Sequence, residues 1–328
     1  MGQKSLTNNE GIESAIAGMK ETMDEIARFY VGDPRNVKLI MGAIMASGHV
    51  LLEDFPGVGK TFLAKLTART LGLDYNRIQF TPDLLPGDIT GTKIWMPALG
   101  KFEKSMGPIN SNLILADEIN RAPPKTQAAL LEAMEERQVT IEGETVQLPR
   151  PFIVLATQNP IEFEGTYPLP EAQVDRFLAS TTVGYPSEAD ERRVVLDHLA
   201  TGTANTAASR ILDRGQLIQA RTTLERIYLS EPIVDYIVAL TRFTRERASV
   251  SLGASPRGSI ALALLARASA AVAGRDFVAP QDVKAMATPA LGHRIRLSPE
   301  AWIRGIRRES IVREAILSVP APVGIDAD

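Results

Sequence analysis

The chain has 328 residues, 45% of them hydrophobic and 23% charged, enough material for one large domain or two ordinary ones, with two the better reading. A formal net charge of -3 gives no footprint for non-specific nucleic-acid binding. The absence of cysteine excludes disulfides, thiolate metal sites and cysteine nucleophiles, and the three histidines, His49, His198 and His293, lie too far apart for a metal-ligand spacing.

The amino terminus has no apolar signal region, and Leu6 occupies the position where a myristoylation signal wants Ser or Thr. Thr7 to Glu10 has the spacing of a capping box, and Ile12, Ile16, Met19, Met23, Ile26 and Phe29 recur every three or four residues. A long amphipathic helix is expected there. Val31-Gly32 breaks it, and Asp33-Pro34 reads as the cap and first residue of a second helix reaching about Ser47.

His49 to Leu63 then runs from an apolar strand through a glycine-bearing turn directly into a helix. That layout makes backbone N–H groups and a helix N-terminus into a phosphate cradle. Gly57 and Gly59 let the backbone close around phosphates, Lys60 reaches the β/γ-phosphates as a point charge, and the Thr61 hydroxyl is a Mg²⁺ ligand. Pro56, Val58 and Phe62 complete the nucleotide-binding stretch. It is a P-loop in all but one position: Asp54 stands where the pattern begins with Gly, and its carboxylate has to point away from the phosphates.

Arg77 to Phe80 reads as a short strand and Thr81 to Asp88 as a turn-rich loop. Ile89 to Met96 and Lys101 to Ser105 form a hairpin, whose Trp95 and Phe102 either contact a partner or fold back on their own domain. Asn112 to Glu118 is an apolar strand ending in two carboxylates. Asp117 is placed to hold Mg²⁺, and Glu118 to orient or deprotonate an attacking water.

A helix from Pro124 to about Glu136 and a second hairpin around Glu142-Gly143-Glu144 follow. Phe152 to Thr157 is a near-continuous apolar strand of the kind buried in a parallel sheet. At its carboxyl end Asn159 is able to hydrogen-bond the γ-phosphate or the attacking water, or to serve only as a turn former before Pro160. Pro170 to Leu178 reads as a short helix, Ala179 to Val183 as a last strand and Ser187 to Leu199 as a helix. The small, polar stretch Thr201 to Ser209 is the best linker. Beyond it only helices are expected: 214–226, 231–247, 256–273, 280–290 and 298–318. The apolar run Ile260 to Ala273 is interrupted by Arg267 and falls short of the ~20 residues a membrane span needs. A cytoplasmic protein without a membrane span is the expectation, divided into an α/β unit over residues 1–204 and a helical unit over 205–328.

Gly57-Val58-Gly59-Lys60-Thr61, Leu115 to Ala122 (LADEINRA), Ala156-Thr157-Gln158-Asn159-Pro160 and Gly253 to Arg257 (GASPR), in that order along nearly the whole chain, resemble the MoxR family of AAA+ ATPases. The resemblance implies an α/β AAA+ P-loop NTPase core with a parallel sheet flanked by helices, two inserted β-hairpins, and a C-terminal all-helical lid. It implies ATP and Mg²⁺ as cofactors, Asn159 as sensor 1, Arg257 as sensor 2, and Arg176 as an arginine finger offered to a neighbouring subunit, with Arg121 a second candidate. Val31 and Gly32 match the region lining the adenine pocket. A ring of copies, commonly a hexamer, is implied too, as is chaperone-like maturation or activation of client proteins or metal-containing complexes, often beside a von Willebrand factor A domain partner.

Two other functions compete. A nucleic-acid motor would draw on Arg294, Arg296, Arg304, Arg307, Arg308 and Arg313 around Trp302, although no DNA-reading module is present and nucleic acid is disfavoured. A nucleotide-sensing scaffold that scarcely hydrolyses ATP is kept open by Asp54. A GTPase is disfavoured, because no N-K-x-D guanine-reading motif appears.

Overall fold

The computed structural model describes residues 3–55, 57–159, 165–201 and 208–322. The chain begins with α1 (Gln3–Phe29) and α2 (Pro34–Met45), then passes through β1 (Val50–Glu53) into α3 (Lys60–Thr70) and β2 (Tyr75–Gln79). Next come α4 (Pro86–Thr90), the hairpin β3 (Gly91–Met96) and β4 (Lys101–Met106), and β5 (Leu113–Asp117). They are followed by α5 (Pro124–Glu136), the hairpin β6 (Gln138–Ile141) and β7 (Glu144–Gln147), β8 (Ile153–Gln158), α6 (Glu171–Val174) and β9 (Ala179–Thr181). The remainder is α7 (Glu188–Thr201), α8 (Arg214–Leu224), α9 (Glu231–Phe243), β10 (Val250–Leu252), α10 (Pro256–Val272), α11 (Pro280–Leu291), β11 (Arg296–Leu297), α12 (Pro299–Ile303) and α13 (Arg308–Ser318).

Five strands pair in parallel in the order β2-β5-β8-β1-β9. Because side chains alternate along a strand, each apolar run feeds two cores. Val50, Leu52, Leu113, Leu115, Ile153 and Leu155 face α1, α2, α3 and the helices beyond residue 208. Leu51, Ile114, Ala116, Val154 and Ala156 face α5 and the hairpins. Burial of each such Val, Leu or Ile side chain contributes about 1.5–3 kcal/mol, and β5 and β8 are apolar on both faces because both faces are covered.

The amphipathic stripe of α1 is real: Met19 and Ile26 are fully buried, and Ile16, Met23 and Phe29 pack at the edge of the same core. Asp33 caps α2 as its spacing predicts, accepting from the Arg35 N–H at 2.8 Å ahead of Pro34. The Ala-rich α10 lies so close to α2 that a Cβ on Gly42 would meet Ala268 Cβ at 3.4 Å. The first core therefore runs without interruption from the sheet into the helical region.

Several expectations are corrected. Helix α1 already begins at Gln3, so the backbone at Thr7 is helix interior rather than a cap. Part of the stretch read as a loop is α4, entered through Pro86 at its first turn and closed by the Asp88 carboxylate on the Leu85 N–H at 2.9 Å. The region read as all-helical holds one antiparallel pair, β10 with β11; two- and three-residue strands are too short to show an alternation. The span 298–318 is two helices, because Gly305 adopts φ +73° between them. The 204/205 boundary and most of the linker lie outside the described residues. Among the described residues no helix is long and apolar enough to cross a membrane.

Candidate active site

The carboxyl edge of a parallel sheet is where loops from successive strands converge, and the strand-end motifs meet there. Gly57 and Gly59 adopt φ +83° and +86°, angles strained for any side chain, and nothing lies within 4 Å of where a Cβ would project from either. Gly59 caps α3 without any side-chain hydrogen bond, which leaves the first N–H groups of the helix, at Lys60, Thr61 and Phe62, for a ligand. Lys60 is buried, and its Nζ donates to the carbonyls of Asp54 at 3.0 Å and Phe55 at 2.9 Å. Burial lowers its pKa, opposed by the charges of Asp54, Asp117 and Glu118. Pro56 lies outside the described residues.

Asp117 ends β5 directly across from Gln79 in β2. Its Oδ1 accepts from the Thr157 hydroxyl at 2.6 Å, and its Oδ2 from Arg77 Nε at 3.0 Å and Nη2 at 2.7 Å. Glu118 sits in the left-handed region, φ +59° and ψ 49°, a conformation that costs a non-glycine residue about 1 kcal/mol or more. Thr157 Oγ1 accepts from its N–H at 2.8 Å, holding the turn. The Glu118 carboxylate accepts from Gln79 Nε2 at 2.9 Å and pairs with Arg121 at 3.3 Å. Asn159, buried, follows β8 immediately on this edge and accepts on its carbonyl from Asn120 Nδ2 at 3.3 Å.

A cavity of ≈ 460 Å³ opens beside the loop, with Gly57, Val58 and Gly59 on one side, Tyr30, Val31 and Gly32 on another, and Val183 to Pro186 on a third. Its size and mixed lining suit a nucleoside. Gly32 is fixed by contact: a Cβ there would stand 2.6 Å from the Tyr30 hydroxyl. Burial, with Asp33 and Asp54 nearby, pushes the Tyr30 phenol up to about 12, so it stays neutral. For a cation, the Thr61 hydroxyl and Asp117 carboxylate are the donor types Mg²⁺ takes from protein when phosphate oxygens and waters supply the rest. Among the described residues no group of three or more His, Asp or Glu is placed to hold a metal ion.

Arg176 and Arg257 are not at this cavity. Arg176 lies three residues before β9, and Leu178 N–H bonds His49 O at 2.8 Å, at the amino edge of the sheet. Since β9 and β1 are parallel, the P-loop is at the opposite edge. Arg257, from the first turn of α10, joins Arg176 beside Glu135 of α5. Arg257, expected as sensor 2, thus lies beside Arg176 and not beside its own chain's P-loop.

Of the six arginines that favoured a nucleic-acid motor, three bond within the fold. Arg294 is buried, bonded to Asp175 at 2.7 Å and to the Phe177 carbonyl at 2.6 Å. Arg296 pairs with Glu171, and Arg308 reaches Glu53 at 3.1 Å. Conversely Arg77, Gln79, Thr157 and Glu135 were not singled out from sequence. Arg77 and Gln79 alternate on one face of β2, which was the available signal; Thr157 and Glu135 carry none until their partners are placed.

Residues 49–179 match the model of the ATPase family associated with various cellular activities (AAA), and residues 242–315 that of the AAA lid domain. An uncharacterized Bacillus subtilis protein, YeaC, is 47% identical over 92% of this chain and 94% of its own. Chaperone MoxR1 of Mycobacterium tuberculosis is 41% identical over 95% of this chain and 85% of its own. A crystal structure from Cytophaga hutchinsonii, whose protein carries only an inferred ATPase assignment, superposes with a TM-score of 0.91 at 39% identity, covering 98% of this chain and all of that one.

Proposed function

Because this chain belongs to the MoxR family of AAA+ ATPases, we propose that it hydrolyses Mg²⁺-ATP and, assembled in a ring, uses the cycle to remodel client proteins. The observation that carries this reading is the convergence of the open Gly57–Gly59 cradle, Lys60 and the α3 N-terminus with Asp117, Glu118 and Asn159 on one sheet edge. The nucleoside enters between Tyr30–Gly32 and Val183–Pro186, the phosphates lie on the α3 N-terminus, and Lys60 exchanges two carbonyls for phosphate oxygens. Mg²⁺, held by Thr61 and Asp117, neutralises phosphate charge when bound. Glu118 orients and deprotonates the attacking water, and Asn159 fixes that water or the γ-phosphate.

Arg176 and Arg257 then act on the nucleotide of the neighbouring subunit, since the edge they occupy is opposite their own P-loop. Guanidinium groups supplied in trans make hydrolysis depend on assembly, which supports a ring, in this family's manner a hexamer. Protein clients are supported by the first hairpin. Trp95 and Phe102 are 49% and 62% exposed, in edge-to-face contact at 5.1 Å, with Leu99 exposed at the tip. An apolar, aromatic surface of this kind fits protein rather than nucleic-acid partners, and a von Willebrand factor A domain protein is the partner class proposed with it.

The test is capture from native extract with ATP-loaded Glu118→Gln as bait and Lys60→Ala as control, alongside phosphate release by the wild type. Turnover absent from the assembled wild type, or recovery of nucleic acid without a protein client, would overturn the reading.

A further inference from the structure

Position 54 is the one departure from the P-loop pattern, and the structure shows what the departure does. Asp54 is 3% exposed, and its N–H extends the β1–β8 ladder to Gln158 O at 3.0 Å. Its Oδ1 accepts from the Phe55 N–H at 3.0 Å, while its Oδ2 accepts from the N–H of Val183 and, at 2.9 Å, of Gly184. The Phe55 ring stacks on Tyr185, centroids 5.5 Å apart and planes 17° from parallel. Both carboxylate oxygens are thus turned away from the cradle and occupied. The segment they hold, Val183 to Pro186 with Gly184 at φ +73°, is one wall of the cavity and leads into α7, whose Asp190 and Val194 also line it. The carbonyl of the same residue holds Lys60.

A glycine at this position would have no atom able to reach Val183 or Gly184. We infer that Asp54 is a positioning residue that ties the phosphate loop to the nucleoside-side wall of the cavity, so that this chain recognises the base and ribose with a wall anchored by its own P-loop. The inference rests on the nucleotide-binding reading above and makes a distinction which that reading does not: the Asp54 carboxylate anchors the nucleoside-side wall and makes no hydrogen bond to the Gly57–Gly59 turn or the α3 N-terminus. With the carboxylate gone, the wall loses two N–H anchors to a charged acceptor and the Phe55 N–H loses its acceptor, while the left-handed turns at Gly57 and Gly59 and the α3 N-terminus keep their own backbone.

The experiment compares ATP with inorganic tripolyphosphate, which carries the phosphates and no nucleoside, by calorimetric titration into the full-length wild type, Asp54→Gly and Asp54→Asn, all with Mg²⁺. Asp54→Gly is expected to weaken ATP by about tenfold and to leave tripolyphosphate within about twofold. Asp54→Asn, whose amide oxygen still accepts, is expected to fall between. An equal loss for both ligands, as a merely structural role would give, overturns the inference, and so does unchanged ATP affinity in Asp54→Gly. A wild type that binds neither ligand overturns the nucleotide-binding reading itself. Should Asp54→Gly fail to fold, the same comparison in Asp54→Asn decides, together with amide exchange in the ligand-free wild type. Protection at Val183 and Gly184 is expected there; free exchange at both overturns the anchor.

Discussion

Arg176 and Arg257 place their guanidinium groups on the two oxygens of one carboxylate: Arg176 Nη2 lies 3.0 Å from Glu135 Oε2, and Arg257 Nη2 lies 2.7 Å from Oε1. The three side chains are 30%, 51% and 38% exposed, so solvent screening limits what the cluster adds to stability to about 1 kcal/mol. Its consequence is geometric. Two arginines from different parts of the fold are presented side by side, with one charge neutralised and one in excess.

If the pair serves the neighbour's nucleotide, Arg257→Ala should resemble Arg176→Ala: ATP affinity within about threefold of the wild type and hydrolysis lower by a factor on the order of 10² or more. Mixing either variant with Lys60→Ala subunits, which keep the arginines but lack the phosphate lysine, should restore part of the turnover. Phosphate release measured against mixing ratio checks this. No recovery at any ratio, or a large loss of ATP affinity in Arg257→Ala, would place Arg257 on its own chain's nucleotide.

Glu118→Gln should retain ATP binding and lose hydrolysis by roughly 10²- to 10⁴-fold, because the side chain keeps its shape and its contact to Gln79 while losing the base. Lys60→Ala should lose binding. Titration calorimetry separates the two; equal affinity losses in both variants would remove Glu118 from the role of base.

Arg77 occupies Oδ2 of Asp117, the carboxylate that would hold Mg²⁺. Arg77→Met should therefore lower the free Mg²⁺ needed for half-maximal ATP binding, by about two- to fivefold given that the Arg77 side chain is 46% exposed. A fluorescent ADP analogue titrated against Mg²⁺ reads this directly. An unchanged or higher requirement would show that Arg77 does not compete with the ion.

Two buried histidines make stability depend on acid. His49 Nδ1 accepts from the Val154 N–H at 2.9 Å, so its Nε2 carries the proton and donates to Met134 O at 3.1 Å. Burial, then Arg137, lowers its pKa from 6.5 to about 3; burial, then Arg294, drives His293 well below 6.5. The unfolded chain takes up these protons below pH 6.5 and the folded chain does not, so stability present above pH 6.5 is lost as pH falls toward the folded values. Between pH 7.5 and 5.5 His49 should remove about 1.4 kcal/mol, and His293 adds to the loss in the same direction. Urea unfolding at the two pH values checks the loss, which His49→Gln should reduce despite a lower starting stability.

The first hairpin should separate client binding from turnover. Glu144 of the second hairpin sits between Lys93, at 2.7 Å, and Lys104 of the first, and the two lysines hold its carboxyl at about 2. Trp95 and Phe102 project beyond this junction into solvent. Replacing both by Ser should leave ATP hydrolysis within about twofold and abolish client capture by the Glu118→Gln bait. Undiminished capture would move the client surface elsewhere.

Much of the site is written in local pattern. The cradle, the strand ending at Asp117 and Glu118, and the strand ahead of Asn159 are each announced within fifteen residues, because a left-handed glycine, a helix N-terminus and a buried parallel strand have backbone requirements that neighbouring residues meet themselves. The short pair β10 and β11 and the break at Gly305 escaped, since two or three residues carry no periodicity and one glycine inside an apolar pattern does not declare its φ. The tertiary structure alone decided the rest. It joined Asp54 to Val183 and Gly184, set Arg257 beside Arg176, buried Arg294 on Asp175, and closed His49 on Val154. Each of these is a polar contact between segments brought together by the order of the strands and the seating of the helices, and a charged side chain has no sequence signature for the partner it will find once apolar burial has packed the chain around it.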